Sequence, residues 1–381
     1  MKIVLSDNGL HLRFAPLTLT RPLGNLRMGI FTNDERWKKY IPSVEIFYET
    51  EAYLQNKFAG TESFNIKVNA AIIPNKEVVE QILALNENSK LVLNGQWIAD
   101  KGNQPKDEVE YQGVFPVVLQ NRWDLYQQNG TVLIQDFQLI TEGRVSAEIS
   151  STNTIVGDKN LIFIEEGASV EACVLNTKPG PIYIGNQAEI MEGSVVRGPL
   201  AVCEGAVLKL ATKIYGPTTI GPECRVGGEV NNSIFYAYSN KGHDGFVGNA
   251  VIGEWCNLGA DTNSSNLKNN YSNVKAYSYE TDKMEDTNVQ FMGLMMGDHS
   301  KCGINTMFNT ATVVGVSTNI YGGDFPSKKI DSFSWGGPNH HTVDFKLDKA
   351  IEAAKAMMDR RNIPFTDADQ EIFQFLSQNN R

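Results

Sequence analysis

The sequence predicts two units of different class: an α/β domain over 1–140 and a parallel β-helix over 161–337, followed by short C-terminal helices. Two observations carry this. Glycine is unevenly placed: of 33 residues, nine lie within 1–150 and 22 within 157–323. An aliphatic side chain also recurs at every sixth position, through Ile184, Ile190, Val196, Val202, Leu208, Ile214, Ile220 and Val226. An α-helix of 3.6 residues per turn does not keep that phase. A unit of one short strand plus a tight turn does. Each unit points one aliphatic side chain into a prism, three units close a triangular coil, and stacked coils bury a continuous column.

The elements follow in chain order. Lys2-Ile3-Val4-Leu5 reads as a first strand, with Ala70-Ala71-Ile72-Ile73-Pro74 and Lys90-Leu91-Val92-Leu93 as further strands. Glu77 to Leu85 has helical spacing at Val78, Val79, Ile82 and Leu85, which makes an α/β layer the expected class. Residues 141–160 are polar and without a period, and read as a linker. Ile164 and Val170 hint at coiling ahead of Ile184, with an insertion at Thr177-Lys178-Pro179-Gly180. The position four after each aliphatic residue is mostly small, as in Ala188, Ser194, Ala206, Thr212 and Thr218, and fits a corner. Glycine at corners supplies positive φ. The phase resumes at Met296, Cys302, Phe308, Val314 and Ile320, with Ile252-Gly253 and Leu258-Gly259 marking another stretch. It breaks over Asn231–Gly245 and again from Thr262 to about Gln290. Regular coils leave little room for chemistry, so these breaks are the places to look for it. In the tail, residues 338–381, Val343 to Arg360 reads as an amphipathic helix. Thr366-Asp367-Ala368-Asp369 reads as the start of another, the pair capping the open end of the β-helix.

Composition narrows the class. The 381 residues carry a net charge of −10, 41% are hydrophobic and only 20% charged, so the chain is neither a disordered acidic segment nor a general nucleic-acid binder. The three apolar residues after Lys2 are too few for a signal peptide, and no apolar run reaches the ~20 residues of a membrane helix. Cys173, Cys203, Cys224, Cys256 and Cys302 are widely spaced with no CxxC, which fits reduced, packed thiols of a cytoplasmic protein.

The strict hexad with its aliphatic-Gly pairs resembles the hexapeptide-repeat acyltransferases. That resemblance implies a left-handed parallel β-helix and a homotrimer with ligand sites between prisms. It sharpens at Ser239-Asn240-Lys241-Gly242-His243-Asp244-Gly245-Phe246-Val247-Gly248, then Asn257-Leu258-Gly259-Ala260 and Thr262, then Asn266-Leu267-Lys268-Asn269. These segments, with Gly297-Asp298-His299-Ser300-Lys301-Cys302-Gly303 and Ser332-Phe333-Ser334-Trp335-Gly336-Gly337, are similar to the acetyltransferase half of bifunctional uridyltransferase/acetyltransferases of the GlmU-like family, in their short bacterial form. The resemblance implies acetyl-CoA as co-substrate and a sugar 1-phosphate as acceptor. It places His243 on the catalytic base and Asn266 on a substrate-binding position. Acetyl transfer to an amine needs a base for the departing proton, and histidine titrates nearest neutrality. Lys241 and Lys268 are candidates for phosphate contacts, and Asn240, Asn263 and Asn266 for sugar hydroxyls. Two positions depart from the family. Asn231-Asn232 stands where it has a lysine pair, and Phe246 where it has a tyrosine, so Tyr236, Tyr238 or Lys275 are expected to supply those contacts.

In the first domain, Leu12-Arg13-Phe14-Ala15-Pro16-Leu17-Thr18-Leu19-Thr20-Arg21-Pro22-Leu23 resembles the start of sugar nucleotidyltransferases. There a Gly-rich loop cradles a triphosphate with Arg and Lys offsetting its charge. Here Asn8-Gly9 replaces the glycines and Leu23 the lysine. Arg13, Arg21 and Arg27 are the nucleotide-binding candidates. The resemblance implies UTP and Mg²⁺, although no Gly-Asp follows the strand ending at Ile73 and no metal ligand is identified. His243 and His299 are isolated and His340-His341 lie past the repeat, which disfavours a zinc site. Nucleotidyl transfer to another sugar 1-phosphate from dTTP or GTP, or a sugar-nucleotide-binding scaffold with a degenerate first domain, are the competing readings.

Overall fold

Side-chain alternation builds the first sheet. Its six strands lie in the order Glu45–Glu49, Lys2–Ser6, Ile66–Asn69, Gln96–Lys101, Ser89–Leu93, Asp107–Glu110. The first three are mutually parallel, and Gln96–Lys101 is antiparallel to both its neighbours. One face turns Ile3, Leu5, Ile66, Val68 and Leu91 into a core shared with Trp37 of helix Asn33–Tyr40 and with Val78, Val79 and Ile82 of helix Lys76–Ala84. A capping box between Thr32 and Glu35 starts the first helix, and Asn75 caps the second by accepting from the Val78 N–H. The opposite face carries charge: Asp100 lies in register between Lys67 and Lys90, and Lys90 faces Glu108 on its other side. Opposite charges across strands stabilise the ladder and suit it to water.

The computed structural model describes residues 1–338 and 340–379, with the side chains of His340 and His341 outside the described set. Beyond helix Asp124–Thr141 the chain winds into a parallel solenoid with three sheets of eight, nine and ten strands, whose pairing begins at Thr154–Val156. The hexad aliphatic residues form its interior column, all buried from Ile162 to Ile320. The five cysteines are free and buried: Cys173, Cys224, Cys256 and Cys302 lie in that column, and Cys203 packs outside it against Ile30 and Phe31 of the first domain. No helix among the described residues is long and apolar enough to cross a membrane.

Glycine is not the general answer at the corners. One corner column runs through Gln187, Glu223, Tyr238, Trp255, His299, Ser317 and Phe333, all with φ between +53° and +60°. Left-handed backbone costs a non-glycine residue about 1–2 kcal/mol. Here each corner N–H is bonded to the coil below, as in His299 to Glu254 O and Ser317 to Asp298 O. The rings of Tyr238 and Trp255 stack at 4.2 Å. Glycine is required where coils touch: a Cβ at Gly221 would sit 1.4 Å from Tyr236 O.

The three faces have different doublets. On one, the outward residue is apolar too: Ile234-Phe235, Val251-Ile252, Met295-Met296, Val313-Val314. This face is buried on both sides because the first domain packs on it. Asn129 of helix Asp124–Thr141 bonds Thr219, and Ile234, Val251, Met295 and Val313 join the first domain's core. On a second face the outward residue is polar: Arg225-Val226, Asn240-Lys241, Asn257-Leu258, Lys301-Cys302, Asn319-Ile320.

Three expectations change. The stretch Asn231–Gly245 is not an excursion. The solenoid runs through it, with two residues lost at the Gly227-Gly228 corner and Lys241 occupying an interior slot in register with Val226. The second break is a true insertion: the chain leaves after Asn263–Ser264, forms the hairpin Lys275–Ser278 with Lys283–Asp286, and places Val274 and Ala276 in the first domain's core. The C-terminal helices, Leu347–Asp359 and Asp367–Gln378, do not cap the open end. They lie along the prism, where Phe373 meets His299 and Arg361 bonds Glu223, while Phe375 stacks on Tyr53 of the first domain. Val343 lies ahead of them in a strand paired with Ser334–Gly337.

Candidate functional site

His243 stands on the turn Gly242–Gly245, between strands Asn240–Lys241 and Phe246–Gly248 of successive faces. The turn is supported from inside. Lys241, 1% exposed, takes a position the hexad reserves for an aliphatic side chain. Its Nζ donates to His243 O at 2.6 Å and Asp244 O at 3.1 Å. Burial pulls its pKa down to about 8, against the opposing pull of Asp244 and Asp261. From below, the shortened corner presents bare backbone: a Cβ at Gly228, whose φ is +76°, would lie 2.9 Å from His243 O. From above, the Asp261 N–H donates to Asp244 O at 3.1 Å, and Asn263 Oδ1 accepts from the Phe246 N–H at 2.8 Å. His243 itself is exposed, and among the described residues its ring has no hydrogen-bond partner. The backbone of this corner is pinned on three sides, and the imidazole it presents is free.

The other expected binding residues divide. Asn240 is on the strand entering the turn, faces outward beside Arg225 and Asn257, and leaves its Oδ1 buried without a partner. Lys241 and Asn263 support the turn as described, so neither is available as a free phosphate or sugar contact. Asn266 lies at a different corner, beyond strand Phe246–Gly248, where its Nδ2 donates to Asn249 Oδ1 at 2.7 Å. Lys268 is on the inserted arm and donates to Asn273 O at 2.6 Å. Tyr236 is buried against the Arg21 guanidinium, Tyr238 is stacked in its corner column, and Lys275 is on the arm. His299 is buried between Trp255 and Phe373, with its pKa held well below the ordinary value by burial and by Lys301 and Lys57. The sequence signal that was missed is Lys241: a lysine at an aliphatic hexad position marks an interior cation.

The three arginines do not form a phosphate site. Arg21 is buried between the domains, bonded to Glu254 at 2.9 Å and Asp298 at 2.5 Å. Burial alone would lower its pKa, and the two carboxylates more than reverse that. Arg27 is buried and donates to Ile30 O at 2.7 Å and towards Glu35. Arg13 is half exposed, with two bonds to Glu280 of the arm. The expectation that they converge on a triphosphate is therefore revised. Each has a protein partner: the solenoid supplies the carboxylates that buried Arg21 requires, and Arg27 is satisfied within the first domain by Ile30 O and Glu35.

A cleft of about 700 Å³ does open at the C-terminal ends of strands Lys2–Ser6 and Glu45–Glu49, the edge where parallel α/β sheets bind ligands. Asn8 and Gly9 turn there with positive φ, and Trp97 forms the far wall. Its carboxylates are already engaged. Asp7 accepts from the Leu23 N–H, from Thr50 and from His11 Nδ1; Glu49 holds Lys67 and Ser6; Asp100 accepts from Trp97 Nε1. Among the described residues no group of three or more His, Cys, Asp or Glu could hold a metal. The buried Asp7–His11–Tyr53 chain of contacts beside this cleft was not anticipated from sequence.

Residues 3–145 match the family model described as sugar nucleotidyl transferase. Curated relatives include the bifunctional protein GlmU of Methanocaldococcus jannaschii, 30% identical over 32% of this chain and 28% of that protein. The GlmU of Picosynechococcus sp. is 27% identical over 34% and 25%. A bifunctional sugar-1-phosphate nucleotidylyltransferase/acetyltransferase of Sulfurisphaera tokodaii is 28% identical over 45% and 42%. The chain thus spans less than half the length of each relative. Among solved structures, the N-acyltransferase AntD of Bacillus cereus, in complex with dTDP and 3-hydroxybutyryl-CoA, is covered fully by 57% of this chain. It has 14% identity and a TM-score of 0.25, too loose a superposition to carry an assignment. Residues 3–145 are thus similar to the sugar nucleotidyl transferases, and in this chain that domain is joined to a hexad-built β-helix.

Proposed function

We propose that the β-helix transfers an acetyl group from acetyl-CoA to the amine of a sugar 1-phosphate, glucosamine 1-phosphate being the acceptor the resemblance implies, in a cytoplasmic homotrimer. The carrying observation is the His243 corner: one free imidazole on a turn whose backbone is held by Lys241, Gly228 and Asp261. As the amine attacks the thioester carbonyl, the new C–N bond forms and nitrogen gains positive charge. His243 takes that proton, and the C–S bond breaks to release the CoA thiolate. Holding the turn rigid fixes the direction of the base, which is the part of catalysis that positioning supplies. The corner is open on a single chain. Leu210 and Ile304, 64% and 71% exposed, lie on the same edge two coils to either side, so a neighbouring copy seated there would bury both and wall the site. The test is release of free thiol from acetyl-CoA across a panel of amino-sugar 1-phosphates; no release with any of them removes this reading.

The family match over residues 3–145 favours a second activity, uridylyl transfer from UTP to the N-acetylated sugar 1-phosphate, in the 700 Å³ cleft. Pyrophosphate release from UTP and N-acetylglucosamine 1-phosphate tests it, with dTTP and GTP as the alternatives. Absence of release with all three leaves the first domain as a binding module.

A further inference from the structure

A cavity of about 520 Å³ lies where the inserted arm folds over the first domain. Arg122 lines it and is 3% exposed. Its Nη1 donates to Ala15 O at 2.7 Å and its Nη2 to Tyr277 O, but its Nε has no partner. The Tyr279 hydroxyl, within electrostatic reach of that guanidinium, is a second buried donor without an acceptor. No carboxylate is bonded to Arg122, and burial pulls its pKa down to about 10. A buried cation with unmade hydrogen bonds is costly, and such an orphan in a native fold points to an acceptor that completes it.

The carboxylates of the cavity do not play that part. Glu280 gives both its oxygens to Arg13, at 2.9 and 3.1 Å, and Glu285 accepts from the Thr281 hydroxyl at 2.6 Å. What remains is one guanidinium with an unbonded Nε–H and no carboxylate partner, in a cavity also lined by hydroxyls and carboxylates. We propose that this cavity binds a small sugar phosphate, its anionic group on Arg122 and its hydroxyls on Ser278, Thr281 and Glu285. Carboxylates and hydroxyls accept from sugar hydroxyls, and the arginine prefers phosphate geometry. The site is separate from the His243 corner and does not depend on that corner being catalytic. Its effect follows from its place. Arg122 joins Ala15 of the first domain to Tyr277 of the arm inserted in the solenoid. Occupancy therefore fastens the two domains through the arm.

The test is hydrogen–deuterium exchange of the full chain, without acetyl-CoA, on addition of glucosamine 1-phosphate. Wild type and His243→Ala are expected to show several-fold slower exchange over 275–286. Folded Ser278→Trp, which fills the cavity, and Arg122→Gln are expected to show none, and neutral N-acetylglucosamine is expected to protect nothing. No protection in wild type, equal protection by the neutral sugar, or protection persisting in either folded variant overturns the proposal. Because His243→Ala keeps the cavity, loss of acetyl transfer and loss of this site are read separately.

Discussion

Arg21 Nη2 donates to Asp298 Oδ2 at 2.5 Å, across 277 residues of sequence, and this pair joins the two domains. Thr20 donates to the same oxygen, Asp298 Oδ1 accepts from the Glu254 N–H, and the Arg21 guanidinium lies over the Tyr236 ring. Both charged side chains are buried, so removing one leaves the other uncompensated. Arg21→Met is expected to lose about 3–5 kcal/mol of stability in urea unfolding. In a double-mutant cycle with Asp298→Asn the two losses are expected to be strongly non-additive. A loss under about 1 kcal/mol contradicts the assignment of this pair as the main polar tie between domains.

Lys241 opposes stability where it serves the turn. Its folded pKa of about 8 is below the unfolded value, so the folded state disfavours its proton. The resulting penalty is fully present below about pH 8 and is relieved as pH rises towards the unfolded pKa of about 10.4. Wild type is therefore expected to gain stability relative to Lys241→Met between pH 8 and 10, as read by urea midpoints. At pH 7 the variant is expected to be the more stable, while acetyl transfer falls because the His243–Asp244 carbonyls lose their donor.

His299 acts in the same direction in a lower pH window. Its folded pKa is depressed, so the unfolded chain binds the proton first, and stability falls as pH drops below about 6.5. Lys57 and Lys301 disfavour the proton, and Glu254 and Asp369 favour it. Measured as wild type minus His299→Gln, the slope is expected to approach at most about 1.4 kcal/mol per pH unit. The stacked Trp255 makes its fluorescence the readout for loosening of this corner. An identical pH dependence in the two proteins contradicts it.

Gly228→Ala tests the support of the site rather than its chemistry. The added methyl meets His243 O at 2.9 Å in a backbone conformation that costs an L-residue about 1–2 kcal/mol. A fall in kcat greater than the loss of stability explains, with KM for acetyl-CoA little changed, is the expected outcome.

Much of this was legible from residue types. The hexad gave the prism because a six-residue period has one common structural solution, and the doublets Val251-Ile252 and Val313-Val314 mark the covered face. The corners were less legible, because glycine was expected where Tyr238, Trp255 and His299 adopt positive φ through stacking and coil-to-coil bonds. Arg21 and Arg27 misled for different reasons: the carboxylate partners of Arg21 come from tertiary packing, more than 200 positions away, whereas Arg27 is taken up locally by Ile30 O and Glu35. The Lys241 position was visible as a broken aliphatic slot, but its direction into the prism needed the register with Val226.

The central claim is that His243 is the base for acetyl transfer. Steady-state thiol release from acetyl-CoA, with glucosamine 1-phosphate as acceptor, compares wild type with His243→Ala at matched folding. The account predicts a fall in kcat of about 10²–10⁴-fold, with KM for acetyl-CoA little altered. Undiminished turnover in the variant would contradict it.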